Sequence, residues 1–345
     1  MVRRLTALAI LVAASAAARG APRLDWQTQT SGVTVRLRGI SAVSDRAAWA
    51  SGAGGTVLRT ADGGATWQRR PIAGAEELDI RDIDAMSADV AYALSIGQGK
   101  SSRIYKTNDG GAHWDLQFLN THPRIFFDAM AFWDPDRGIA FSDSVDGQFV
   151  ILTTVNGGRV WERVVDDRLP RALPGEGAFA SSGTNVATTG GETAWIGTTA
   201  GRVLRTIDAG RTWTIAETDI HTGDSAGIFS IAFRDGLHGV VAGGDYKKER
   251  DALENAAVTS DGGITWSLVK DHGLSGYRSV VAWVPGQQHH LLALGPSGAD
   301  VSADSGTTWT PVSADGFDTL SFAPRSSTGW AAGDQGRIAR LTIHD

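Results

Sequence analysis

The stretch Thr60-Ala61-Asp62-Gly63-Gly64-Ala65-Thr66-Trp67 decides the fold, because it does not occur only once. Related octets stand at Thr107 to Trp114 (TNDGGAHW), Thr154 to Trp161 (TVNGGRVW), Thr206 to Trp213 (TIDAGRTW), Thr259 to Trp266 (TSDGGITW) and Ser302 to Trp309 (SADSGTTW). The closing tryptophan therefore recurs every 43 to 53 residues. Ahead of each octet lies a short alternating strand such as Val57-Leu58-Arg59, and ahead of that a Gly-rich turn and another apolar strand, as at Ala47 to Ser51. Each unit reads as four short strands with no run at helical period.

Four-stranded units with a Gly/aromatic signature are blades of a β-propeller, which hides its sheet edges by closing radially. The fold class expected is thus all-β, a single seven-bladed propeller. Six units are complete. After the sixth octet, Thr319 to Ala323, Gly329 to Gly333 and Arg337 to Leu341 supply three strands of another blade, and the fourth is missing there. Leu24-Asp25-Trp26-Gln27-Thr28 resembles the strand around Trp67, so the N-terminal strand is expected to close the seventh blade. That makes roughly 46 residues per blade over residues 21–345.

Composition sets the exclusions. The chain has 345 residues, a formal charge of −6, 12 tryptophans and no cysteine, which closes off disulfides, thiolate metal sites and a cysteine nucleophile. Charge is spread along the sequence, so no nucleic-acid groove and no polybasic membrane surface is expected. Residues 1–20 read as a secretory signal: Arg3 and Arg4 precede an apolar run from Leu5 to Ala18 that is too short to span a bilayer, and small residues follow. The expectation is an exported protein, periplasmic or secreted, with no direct membrane insertion and monomeric.

The octet itself is turn chemistry. An aspartate opening a tight turn accepts hydrogen bonds from backbone N–H groups about two residues on, a glycine supplies positive φ, and the tryptophan covers the hairpin base against the next blade. Asn156 keeps the acceptor and drops the charge, which suits a turn better than acid–base work. None of the octets carries the alternating oxygen ligands and final glutamate of an EF-hand, so no metal and no cofactor is expected.

The pattern Ser/Thr-x-Asp-x-Gly-x-Thr-Trp resembles the Asp box, or bacterial neuraminidase repeat. In the form G-x-x-G-x-[VI]-x-[RK]-T-x-D-G-G-x-T-W it resembles most closely the photosystem II stability/assembly factor family, over almost all of the chain after the leader. That resemblance implies an exported, non-catalytic scaffold binding a protein or peptide client, such as a membrane-protein subunit. The box also occurs in sialidases, xyloglucan-cleaving glycosidases and sortilin-type receptors. The alternative implied is a glycoside hydrolase, sialidase-like or paired-carboxylate, or a carbohydrate-binding propeller with a glycan as ligand. The partner does not transfer with the fold.

In a propeller the ligand face is the rim built by inter-blade segments and by loops between second and third strands, opposite the boxes. Candidate ligand-binding residues there are Arg81, Arg124, Asp128, Glu176, Asp245, Tyr246 and Arg278. Arginines clustered at one point would favour an anionic ligand, whereas two carboxyl groups about 5 to 10 Å apart across a pocket would favour hydrolysis. The opposing reading pairs these charges with one another at a wet channel mouth. In the longest insertion, Gly244 to Asn255, the charged run Lys247 to Glu254 is expected to be a solvated loop, and Phe126, Phe127, Phe179 and Phe229 are expected to pack between blades. Gly295 to Ala299 reads as a turn and not a nucleophile elbow. His289 and His290, as neighbours on one strand, would face opposite sides.

Overall fold

The computed structural model describes residues 23–344; the leader assigned to residues 1–20 lies outside them. Strands follow one another into seven antiparallel sheets of four. Blade 1 runs Leu37–Ala42, Ala48–Gly52, Thr56–Thr60 and Gln68–Arg69, innermost first. Blades 2 to 6 repeat it, beginning at the inner strands Asp79–Ala85, Phe127–Phe132, Val186–Thr189, Ala226–Phe233 and Val280–Trp283. Blade 7 comprises Thr319–Phe322, Thr328–Ala332 and Ile338–His344, and its outer strand is Arg23–Gln29, paired along its length from Arg23 opposite His344 to Gln29 opposite Ile338. The expected closure by the N-terminal strand is what the chain does. Trp26 stacks on Phe317 with ring centroids 4.8 Å apart, which fixes the added strand against its blade.

The core is distributed between blades. Second strands such as Ala48–Gly52 and Leu291–Gly295 are buried throughout, because each is covered on both faces by neighbouring sheets. Their aromatic residues also fasten blades together: Trp49 donates its indole N–H to the Ser87 carbonyl, the Tyr92 hydroxyl donates to Gly157, and Trp195 donates to Gly262. The box tryptophans pack the opposite way. Trp67 lies among Trp330, Ala332 and Ile338 of blade 7, and Trp213 among Ile139, Phe141 and Ile151 of blade 3.

Inner strands are tied hydroxyl to amide around the ring. The Ser41 hydroxyl accepts from the Ala85 N–H, Ser230 from Val281 and Ser321 from Ala42, each at 3.0 Å, while Asp84 Oδ2 accepts from Phe132 at 3.2 Å. These bonds satisfy amides that a four-stranded sheet leaves open on its inner edge.

The boxes behave as turns, with one difference from the sequence reading. Asp62 Oδ1 accepts from the N–H of Thr66, four residues on rather than two, at 2.9 Å, and Oδ2 accepts from the Thr66 hydroxyl at 2.7 Å. The Gly64 N–H goes instead to the Thr60 hydroxyl. Asp208, Asp261 and Asp304 repeat this arrangement, and Asn156 Oδ1 makes the same backbone bond to Val160. Hydrogen bonds from Thr66 and Thr265 hold the Asp62 and Asp261 carboxyls down at about 2. Gly295 to Ala299 forms a tight hairpin turn, as expected. His289 and His290 do not lie on a strand; they sit in the turn before Leu291–Gly295, with His289 Nδ1 paired to the Ser305 hydroxyl.

Candidate functional site at the channel mouth

Blade 4 starts late. Its inner strand begins only at Val186, and the residues before it, Ala178 to Thr184, all small except Phe179, run across the channel. Ala178 N–H donates to Asp143 of blade 3, Ala180 accepts from Arg81 Nη1 of blade 2 at 2.7 Å, and the Ser181 hydroxyl meets the Tyr277 hydroxyl between blades 5 and 6 at 3.1 Å. Ser182 donates to the Ser279 carbonyl of blade 6 and accepts from Thr319 of blade 7, and Thr184 donates to Ser230 of blade 5. Bulkier residues would not fit: a Cβ on Gly183, whose φ is +73°, would stand 2.3 Å from Asp82 Oδ1. The segment separates a cavity at the rim, floored by Phe179, Ala180 and Ser181, from the channel below, about 400 Å³ and lined by strands of all seven blades.

The rim cavity holds about 330 Å³. Its chemistry comes from irregularities in the inner strands. In blades 1, 2, 3 and 5 the pairing register slips by one residue, which places Arg38, Arg81, Asp128 and Phe229 in β-bulges. A bulge re-aims its side chain. Arg38, Arg81 and Phe229 line the cavity together with Arg36, and Phe179, Tyr246 and Tyr277 complete an aromatic wall. Phe179 lies parallel on Phe229 with centroids 3.9 Å apart, and Tyr277 meets Phe229 edge-on at 4.6 Å. Burial raises the Tyr277 hydroxyl far above the usual phenol range, so it stays protonated.

The three arginines are not equivalent. Arg36 forms a two-pronged pair with Asp318, at 2.8 and 2.5 Å, and Arg81 pairs with Asp79 at 2.8 Å. Arg38 forms no hydrogen bond or ion pair among the described residues. Its guanidinium is destabilised first by burial and then by the like charges of Arg81 and Arg36. An anion placed there would offset the crowded positive charge.

Of the seven residues singled out from sequence, Arg81 and Tyr246 line the cavity. The rest go elsewhere. Arg278 is buried and held by Asp300 at 2.6 Å, and Glu176 is buried against Arg202 and the Thr198 hydroxyl. Arg124 pairs with Asp146 at the surface, so Arg81, Arg124 and Arg278 do not gather. Asp245 accepts from the Ser225 hydroxyl at 2.7 Å. Asp128 is fully enclosed, with Oδ2 lacking a hydrogen-bond partner among the described residues; burial, and then the nearby Asp143, push it well above the carboxylate range, and burial lifts Asp143 to about 6. Phe127 packs between blades 2 and 3 as expected; Phe179 and Phe229 pack on each other across blades 4 and 5 and also line the cavity.

Arg36 and Arg38 escaped the sequence reading although a signal was present. Leu37-Arg38-Gly39-Ile40-Ser41-Ala42 matches Ile80-Arg81-Asp82-Ile83-Asp84-Ala85 position for position, which places Arg38 where Arg81 stands one blade later.

Comparison with known proteins adds three findings. Residues 79–226 match the family described as Photosynthesis system II assembly factor YCF48. No curated protein matches the chain. Among solved structures, YCF48 from Cyanidioschyzon merolae superposes with a TM-score of 0.66 at 19% identity, over 92% of this chain and 98% of that one. A structure described as YCF48 bound to D1 peptide gives 0.63 at 16% identity, over 94% and 99%. The GH74 enzyme of Niastella koreensis gives 0.63 at 16% identity, but only 53% of its length is covered, against 91% of this chain. At these identities the likeness is one of fold.

Proposed function

We propose that this chain, a photosystem II assembly factor-like propeller, is a binding scaffold whose rim cavity takes a carboxylate-bearing segment of a peptide or protein client. One observation carries the reading: Arg38, an unpaired and crowded cation, sits between Arg36 and Arg81 beside a wall of aromatic rings. A carboxylate meets the guanidinium, and an adjoining apolar side chain finds Phe179 and Phe229. The solved structure described as YCF48 bound to D1 peptide supports a peptide as the class of client. The charged and apolar pattern of residues 1–20 supports export to a periplasmic or extracellular location.

The alternative, a glycoside hydrolase or carbohydrate-binding propeller, draws on the GH74 neighbour. A paired-carboxylate mechanism needs two carboxyl groups facing one cavity, and Glu249 is the one acidic residue lining this one. Asp128 and Asp143 do interact, but both are enclosed beside the channel-crossing segment and neither lines the cavity. The site's chemistry therefore favours binding.

The test is fluorescence anisotropy with a labelled peptide ending in phenylalanine, free or amidated at its carboxyl terminus. Tighter binding of the free acid by about tenfold, lost in Arg38→Gln, is the expected result. Equal affinity for acid and amide would overturn the reading.

A further inference from the structure

The channel beneath the crossing segment is a second chamber with its own entrance. Ser182, Gly183 and Thr184 close it toward the rim. Its other end lies at the boxes: Phe233 and Trp283, the last residues of their inner strands, stand opposite Gly239 and Leu291, which pair in turn with Thr259 and Ser302, where two boxes begin. With Phe322 they give that mouth an aromatic collar on blades 5 to 7. From Asp82, beside Gly183, to the end of its strand at Ala85 the wall is roughly 10 Å deep.

Asp82 and Asp84, on blade 2, are the two ionisable residues of the channel wall. Each uses Oδ2 to tie the next inner strand, Asp82 accepting from the Met130 N–H at 2.7 Å and Asp84 from Phe132. That tie needs no charge. Ser41, which matches Asp84 one blade earlier, and Ser321 make it with a hydroxyl. The carboxyls therefore exceed what the ring requires, and they are held at a cost: Asp82 is only 5% exposed, burial and then Asp84 push it well above the carboxylate range, and burial lifts Asp84 to about 6. Among the described residues no side chain donates to either, and no cation lines the channel to offset them.

We propose that the channel binds a primary alkylammonium ion, which enters from the box face, sets its N–H donors on Asp82 and Asp84, and lays its chain against Ile231, Val281 and the aromatic collar. A hard divalent cation draws on six or more oxygens around it, whereas both carboxyls here project from one face of one strand and the facing walls are largely apolar. The same one-sidedness keeps them from flanking a glycosidic bond as hydrolase carboxyls do. The channel shares no lining residue with the rim cavity, so the inference stands apart from the carboxylate reading above.

The test reads methionine methyl groups. The chain has three methionines, Met1, Met86 and Met130, and of the two beyond the leader Met130 lines the channel and Met86 does not. Hexylamine and its neutral counterpart hexanol are titrated at neutral pH into protein carrying carbon-13 methionine methyls. Hexylamine should shift the Met130 signal saturably and leave Met86 in place, and hexanol should need about tenfold more to do the same. Asp84→Ser, which keeps the tie in the form Ser41 shows, should weaken hexylamine about tenfold and leave hexanol unchanged. Equal midpoints for amine and alcohol, or a Met130 signal that hexylamine does not move, would overturn the inference in the native protein alone. So would an amine affinity untouched by Asp84→Ser, or displacement by hexylamine of the labelled peptide from the rim.

Discussion

Ser182 donates its hydroxyl to the carbonyl of Ser279, 97 residues later and two blades away, at 2.7 Å. The bond runs across the ring rather than around it. It fastens the channel-crossing segment, and with it Phe179 and the Arg81–Ala180 contact, to a blade with which blade 4 shares no sheet edge. The rim cavity therefore depends on small residues beneath it.

Gly183→Ala tests that dependence. The added methyl would collide with Asp82 Oδ1, and the residue would hold a left-handed φ at an alanine. The expected loss is about 2 kcal/mol of stability, together with weaker peptide binding, since the floor of the cavity must shift. Urea unfolding and peptide anisotropy on the same preparation check both; a variant with native affinity would show that the floor moves independently of the arginines.

The buried carboxyls predict an unusual pH profile. Asp84 and Asp143 are lifted to about 6, and Asp82 and Asp128 are raised well above the usual carboxylate range, in each case mainly by burial. A carboxyl whose folded value is raised keeps its proton longer in the native state. The associated stability is full below about pH 4 and is lost as pH rises through 6 and above. The box aspartates slope the other way: Asp62, Asp109 and Asp261 lie near 2, so what they contribute is lost as pH falls from about 4 through 2. Urea midpoints should peak near pH 4 to 5 and decline toward pH 8, by roughly 3 kcal/mol for each group of the Asp143 kind. In Asp143→Asn, whose amide oxygen can still accept from Ala178, the decline should be shallower.

Glu176 and Arg202 offer a test of buried pairing. Both side chains are almost completely enclosed, and the carboxylate also accepts from Thr198 and from the Leu173 N–H. Arg202→Leu strands that carboxylate and should cost about 3 to 5 kcal/mol. Glu176→Gln/Arg202→Leu removes both charges and should recover part of the loss, as a double-mutant cycle by urea unfolding will read.

At the boxes, Asp261→Asn should be nearly neutral and Asp261→Ala should lower stability by about 1 to 2 kcal/mol. The native Asn156 already makes the required bond without a charge. Thermal melts of the two variants separate an acceptor role from an ionic one.

The ring was legible because its signal is a repeat: a turn motif with a tryptophan recurs often enough to count blades, and Trp26 marks the strand that closes them. The site was legible only in part. Tyr246 lies in the longest insertion, and departures from a repeat are easy to see. Arg38 sits inside an alternating strand, where period-two reasoning assigns its direction, and the one-residue slip between Leu37 and Gly39 overrides it; Arg36 stands just ahead of that strand. Arg278 and Glu176 look like rim charges in sequence because their partners, Asp300 and Arg202, are supplied by strands more than twenty residues away.

The antiparallel match of Arg23–Gln29 with Ile338–His344 also sets a timetable. One edge of the last blade is among the earliest residues of the fold to be synthesised and its mate is among the latest. A nascent chain can stack blades one after another, yet it cannot lock the circle until translation has delivered residue 344. Until then the strand that carries Trp26 has no complete mate to pair with. The growing polypeptide remains an open arc with an unsealed seam, a state easier to unthread than the finished ring and more in need of a chaperone.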